Sequence, residues 1–336
     1  MLNASYMALF DEAPTGVEFA PRDTGGTPAG AAAAARAAIA DGARALVGPL
    51  TSAEAAAVAP VARAAGVPML AFTNDAQRAG PGAWVLGTTP QQQVRRIVGA
   101  AARNGAQRFA LAAPDNEFGR QLATALRAAT TDLGLPPPVI ALHPSNADPA
   151  MAAGAARVAA PQADAVLLGE SGERARRFAA AYAAEGQVVQ VEPTRGSVQT
   201  LAPSAPQAGG PRLLGTALWL NDQAVRNEPA LSGAWFPGPD GSARARFEGR
   251  YRDAFRDTPP RIAAAAYDAA ALAARALRGN TPIGALTGVQ TFPGADGPVR
   301  LLPDGQTLRG LAIYALSPSG EAQVVEPAQD PVGPGS

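Results

Sequence analysis

Short apolar runs alternate along the chain with alanine-rich stretches whose larger apolar residues recur at helical spacing. The clearest unit covers residues 43–72. An apolar run at 43–47 predicts a strand that ends in Gly48-Pro49, Thr51 or Ser52 then caps a helix predicted over 53–65, and Gly66 ends that helix before a second strand at 67–72. Glu54 falls in the first helical turn, beside the positive end of the helix dipole. Strands joined by a helical crossover run parallel, so both end on the same side. Thr51 and Ser52 are thereby brought beside Thr73, Asn74 and Asp75 at the carboxyl edge of one sheet, where open α/β sheets bind ligands.

The same alternation continues almost to the end. Helices are predicted over 28–41, 90–103, 117–132, 149–158, 174–185, 242–255 and 261–277, and strands over 84–88, 108–113, 139–142, 165–169, 187–191 and 212–216. Residues 299–302 and 308–315, joined by Pro303-Asp304-Gly305, read as a hairpin, residues 197–210 as an exposed loop, and the tail from 330 as disordered. The fold class is α/β, and 336 residues suit two doubly wound lobes with parallel sheets better than one core. The beginning departs from this plan. Residues 1–10 read as an amphipathic helix followed by a strand at 17–21, whereas a doubly wound lobe opens with a strand, so a leading strand and any export signal are expected upstream of this sequence.

Composition narrows the function classes. The 28 basic residues, all arginine, balance 28 acidic ones, which leaves no electrostatic footprint for nucleic acid or an anionic membrane surface. With no cysteine there are no disulfides, zinc-thiolate sites or cysteine nucleophiles. His143, the one histidine, has no second imidazole with which to share a metal and no G-x-S-x-G elbow to serve. Phosphate-cradling, dinucleotide-binding and H-E-x-x-H motifs are also absent, so neither an enzyme nor a cofactor is expected.

The candidate site residues all stand just after predicted strands: Thr51, Ser52, Thr73, Asn74 and Asp75, then Asn116, Glu117 and Phe118, then Glu170 and Ser171, and lastly Trp219. Each has a second reading. Thr51, Ser52, Asn74 and Asp75 suit helix caps as well as ligand donors, and Glu117-Phe118 suits a solvated loop. Trp219 and Trp235 suit core packing as well as a stacking surface, and Tyr267-Asp268 suits a structural pair within an apolar helix. Glu117 and Glu170 as a glycosidase-type carboxylate pair is a further, weaker reading.

Four segments together resemble the type I periplasmic binding proteins of the branched-chain amino acid receptor (leucine-binding protein) family: residues 41–72, the DNEFG turn at 115–119, and residues 246–277 and 297–316. Within it, GTALWLNDQAVRNEPALSGAWFPGPD at 215–240 looks most like the penicillin-binding protein activator branch. The resemblance implies a non-enzymatic, periplasmic receptor of an ABC importer, closing two lobes by hinge motion on a small polar, amino-acid-like ligand and docking on a membrane permease. In the activator branch it implies a lipid-anchored partner of a peptidoglycan synthase instead. It implies a first lobe of 1–90 plus 236–297, a second of 91–235 plus 298–320 and a tail of 321–336, with three crossovers near 89–90, 235–236 and 296–299. Family members hold a ligand carboxylate where this chain has Ser52 and Thr73 to Asp75, and place an aromatic where it has Phe118. The acid expected just after residue 216 is replaced by Ala217, Leu218 and Trp219, leaving Glu170 or Asp222 as substitutes for receiving an ammonium.

Overall fold

The computed structural model describes residues 1–13, 15–188, 210–288 and 291–331. The chain forms α1 (Leu2–Glu12), α2 (Pro28–Ala40), β1 (Leu46–Val47), α3 (Ser52–Ala64), β2 (Met69–Ala71), β3 (Ala83–Val85) and α4 (Pro90–Arg103). It continues through β4 (Phe109–Pro114), α5 (Glu117–Asp132), β5 (Val139–His143), α6 (Pro149–Ala159), β6 (Ala165–Leu168), α7 (Gly172–Val188) and β7 (Arg212–Leu214). After α8 (Gln223–Arg226) and β8 (Trp235–Gly238) come α9 (Gly241–Phe255), α10 (Ala263–Arg278), β9 (Phe292–Gly294), β10 (Gly297–Leu301), β11 (Thr307–Arg309), β12 (Ala312–Leu316) and β13 (Ala322–Glu326).

Two compact units result. The first holds Met1–Thr89, Pro239–Gly310 and the chain from Ala328; the second holds Pro90–Gly238 and Leu311–Pro327. In the first, β1, β2 and β3 pair parallel in that order. Because successive strand side chains point to opposite faces, Met69, Ala71 and Ala83 pack with Ala31, Ala55 and Val58 of α2 and α3, while Leu70, Phe72 and Trp84 pack with α1, α9 and α10. Burial on both faces is why β2 reads as a continuous apolar run. Alanines such as Ala4 and Ala266 let α1 and α10 approach closely; an ion pair from Glu12 to Arg275 pins that pair at its rim, and one from Asp11 to Arg250 ties α1 to α9. Tyr267 donates its hydroxyl to Asp11, and burial together with that carboxylate pushes the phenol up to about 12.

The second unit has a seven-stranded sheet, β13-β12-β8-β7-β6-β4-β5, parallel from β8 to β5 and closed at the other edge by two antiparallel strands. Phe109, Leu111 and Ala113 of β4 face α4 and α5, whose apolar positions Val94, Ile97, Val98 and Ala101 recur at helical spacing.

Several expectations require correction. Residues 17–21 form no strand: the sheet begins at β1, and the segment joins no ladder among the described residues. Residues 187 and 188 continue α7 instead of opening a strand, and residues 189–191, like all but the last residue of the loop expected at 197–210, lie outside the described residues. The segment 308–315 is not one strand. It breaks at Gly310-Leu311, so that β11 stays with the first unit and β12 joins the second.

Residues 298–310 accordingly belong to the first unit, where Val299 and Leu301 are core and where the Thr307 hydroxyl donates to the Val85 carbonyl at 2.6 Å. The turn at Gly305 admits only glycine: its φ is +85°, and a Cβ there would stand 2.3 Å from the Gly80 and Ala83 carbonyl oxygens. The chain passes between the units at 89–90, 238–239 and 310–311, and a fourth time at 327–328, after β13, which hydropathy had left in the tail. Two arginines of α4, Arg96 and Arg103, each reach Glu326 at 2.8 Å and hold β13 in place.

Candidate functional site

In the first unit the carboxyl ends of β1 and β2 do bring the expected residues together, but most of their polar groups are turned on one another. Thr51 caps α3: its hydroxyl accepts from Glu54 N at 3.2 Å, and Glu54 returns a carboxylate oxygen to Thr51 N at 3.1 Å. Thr24 also donates to Glu54 at 2.7 Å. Burial alone would raise the Glu54 carboxyl, yet these hydrogen bonds hold it below the usual range. Thr51 is thus committed to the helix end.

Ser52 points the other way. Its hydroxyl donates to Asp75 at 2.5 Å, Arg78 donates to the same Asp75 oxygen at 3.0 Å, and the Thr73 hydroxyl accepts from Asp75 N at 3.1 Å. Asp75 also accepts from Gln77 N at 3.0 Å. Burial opposes its ionisation, but Ser52, Gln77 and Arg78 outweigh it and hold the carboxyl below its ordinary value. The carboxylate therefore stays charged at neutral pH, in contact with the hydroxyl that the resemblance assigns to a ligand carboxylate. Asn74 is exposed beside it.

In the second unit the carboxyl ends of β4, β5 and β6 carry the remaining candidates. Asn116 caps α5, accepting from Gly119 N at 2.9 Å. Glu117 is exposed and accepts from Gln121 at 3.1 Å, while Phe118 is half-buried against the core under α4 and α5.

Glu170 is buried and its charge is already met: Arg174 Nη2 donates to Oε1 at 2.8 Å and Arg174 Nε to Oε2 at 3.0 Å. This corrects the reading of Glu170 as a free acid for a ligand ammonium. His143, at the end of β5, holds its Nε2 3.5 Å from Glu170 Oε1 without a hydrogen bond. Asp222 is also engaged, accepting from Gly172 N and from the first N–H groups of α8. Ser171 is half-buried at the start of α7.

Trp219 is a further correction: it is fully buried, donates its indole N–H to the Glu170 carbonyl at 2.9 Å and packs on Phe236, so it offers no stacking face. Two partners went unnoticed in the sequence, Arg78 and Arg174. Their signal was present, three residues after Asp75 and four after Glu170, the spacings at which helical side chains meet.

Among the described residues no group of three His, Asp or Glu is placed to hold a metal, and no helix is long and apolar enough to cross a membrane. In both units hydroxyls and carboxylates stand at the carboxyl ends of parallel strands, the edge at which open α/β sheets bind ligands. The chain belongs to the periplasmic binding protein family, whose model matches residues 14–321. A comparison with curated protein sequences returns no match. Solved structures match at the level of fold. A putative branched-chain amino acid ABC transporter protein from Rhodospirillum rubrum is 19% identical, with 96% of this chain and 94% of that one covered and a TM-score of 0.78. A branched-chain amino acid ABC transporter periplasmic ligand-binding protein from Burkholderia xenovorans is 17% identical over 99% and 90%, with a TM-score of 0.73. A solute-binding protein of an ABC transporter from Rhodopseudomonas palustris, solved with 3,4-dihydroxybenzoic acid, is 20% identical over 99% and 93%, with a TM-score of 0.63.

Proposed function

We propose that the protein is the solute receptor of an ABC-type importer, working in the periplasm and passing a small polar solute of amino-acid size to a membrane permease. Solute binding is coupled in this reading to hinge motion at the crossings 89–90, 238–239 and 310–311. The observation that carries it is the Ser52, Asp75 and Thr73 cluster at the carboxyl edge of the first unit's sheet, in a chain of this family. The cluster also bears on the kind of solute. A free ligand carboxylate at Ser52 would face the charged Asp75, whereas a solute offering N–H or O–H donors gains an acceptor there. Glu170 is closed off by Arg174, which removes the second anchor of a zwitterionic α-amino acid. Amides, amines and polyhydroxylated solutes fit this arrangement better than a plain α-amino acid.

Calorimetric titration with pools of these solutes tests the reading. One class is expected to bind saturably, and Ser52→Ala and Asp75→Asn each to weaken it about tenfold, the equivalent of about 1.4 kcal/mol. Saturable binding that neither substitution changes would contradict this site.

A further inference from the structure

At the opposite, amino end of the first unit's sheet lies a cavity of about 640 Å³, within the size range of small-molecule pockets. It is framed by the C-terminal ends of α3 and α10 and by the residues leading into β2 and β3. Its lining is mixed, apolar at Ala62, Val67, Leu277 and Ile283 and polar at Asn280, Thr281 and Thr287, and the Trp84 indole N–H is already given to the Leu302 carbonyl at 2.8 Å. Prolines at 68, 81, 282 and 303 line it from four separate stretches of chain. Their fixed φ angles make it a preformed hollow that a ligand need not order.

Two bases from different elements line this hollow, Arg44 before β1 and Arg63 in the last turn of α3. Among the described residues neither is paired with a carboxylate, in a chain whose acids and bases balance. Arg44 is instead steered by a neutral group: its Nη2 donates at 2.9 Å to Asn280, which sits in the left-handed region at φ +47° just past α10. Compensation of the α3 dipole explains a base at Arg63, but not a second base from another element on the same cavity.

We propose that this cavity binds an organic anion, an apolar body carrying one carboxylate or phosphate head, with the body against Trp84 and Leu277 and the head between Arg44 and Arg63. It is separate from the solute site at the other end of the sheet. Neither reading depends on the other.

Octanoate serves as the probe in calorimetric titration of the full chain, with 1-octanol to present the body without the charge and inorganic phosphate the head without the body. Octanoate is expected to bind one to one, and octanol and phosphate about tenfold more weakly or worse. Arg44→Gln combined with Arg63→Gln changes only exposed side chains and is expected to weaken octanoate about tenfold or more. Ala59→Trp, on the half-exposed cavity wall of α3, is expected to abolish binding by filling the space, and Ser52→Ala to leave it unchanged. No octanoate binding, binding indifferent to the arginine pair, or binding lost in Ser52→Ala overturns the proposal. Decanoate and octyl phosphate then distinguish a carboxylate from a phosphate head.

Discussion

Replacing Arg309 by alanine is expected to lower stability by about 3–5 kcal/mol at neutral pH, because it strands a charge that has no exit to water. Asp268 is buried in the middle of α10, and Arg309 of β11 donates to it at 2.7 Å from a side chain that is itself buried. The remaining Asp268 oxygen accepts from Ala295 N at 2.7 Å, and Arg309 Nε donates to the Leu86 carbonyl at 2.9 Å. One pair thus ties α10, the β9–β10 turn, β11 and the end of β3. Burial pushes the Asp268 carboxyl up, against the pull of Arg309. A carboxyl raised in the folded state favours folding in its protonated form, so the sign of the pH dependence follows. The loss in Arg309→Ala is smallest in acid, where Asp268 is protonated in both states, and grows as pH rises through the raised folded-state value. Urea denaturation at several pH values measures it. The double replacement Asp268→Leu with Arg309→Leu recovers much of the loss, since no lone charge remains. A single-variant loss below about 1 kcal/mol at neutral pH would show that water reaches the pair.

Trp219→Ala is expected to cost a similar amount, about 3–5 kcal/mol, through the cavity left by a fully buried indole. The ring lies over Gly215, where a Cβ would stand 2.2 Å from it, and 6.3 Å from the Phe236 centroid. Trp219→Phe retains most of the packing but leaves the buried Glu170 carbonyl without the indole donor, and about 1–3 kcal/mol is expected to be lost. Denaturant curves read against solute affinity separate packing from recognition. A core residue loses stability, whereas a stacking residue would lose affinity at unchanged stability, and that second outcome would contradict the placement of Trp219.

Trp219 also shows where sequence reading stops. Its position after a strand is visible in the chain, but whether the ring faces inward depends on the partner at Gly215 and on the Phe236 and Tyr314 stack, which come from distant segments. The alternation of strands and helices was legible because β2 and β4 are buried on both faces and the apolar stripe of α4 repeats at helical spacing. The 17–21 strand was not, since a strand exists only with a partner and composition names none. Nor was β13, whose charged and polar residues are those of an edge strand fixed by Glu326 to Arg96 and Arg103. At the site, hydroxyls at the strand ends were foreseeable from chain order. That Ser52 turns to Asp75 while Thr51 turns to Glu54 was not, because either residue satisfies the capping rule.

The most direct test of the receptor reading is native mass spectrometry of the gently purified protein, repeated under denaturing conditions. The account predicts a small solute rich in hydrogen-bond donors that travels with the folded chain and is released on unfolding. A protein that is empty as isolated, and stays empty when offered cell extract, would contradict it and turn attention to a peptidoglycan synthase as the partner.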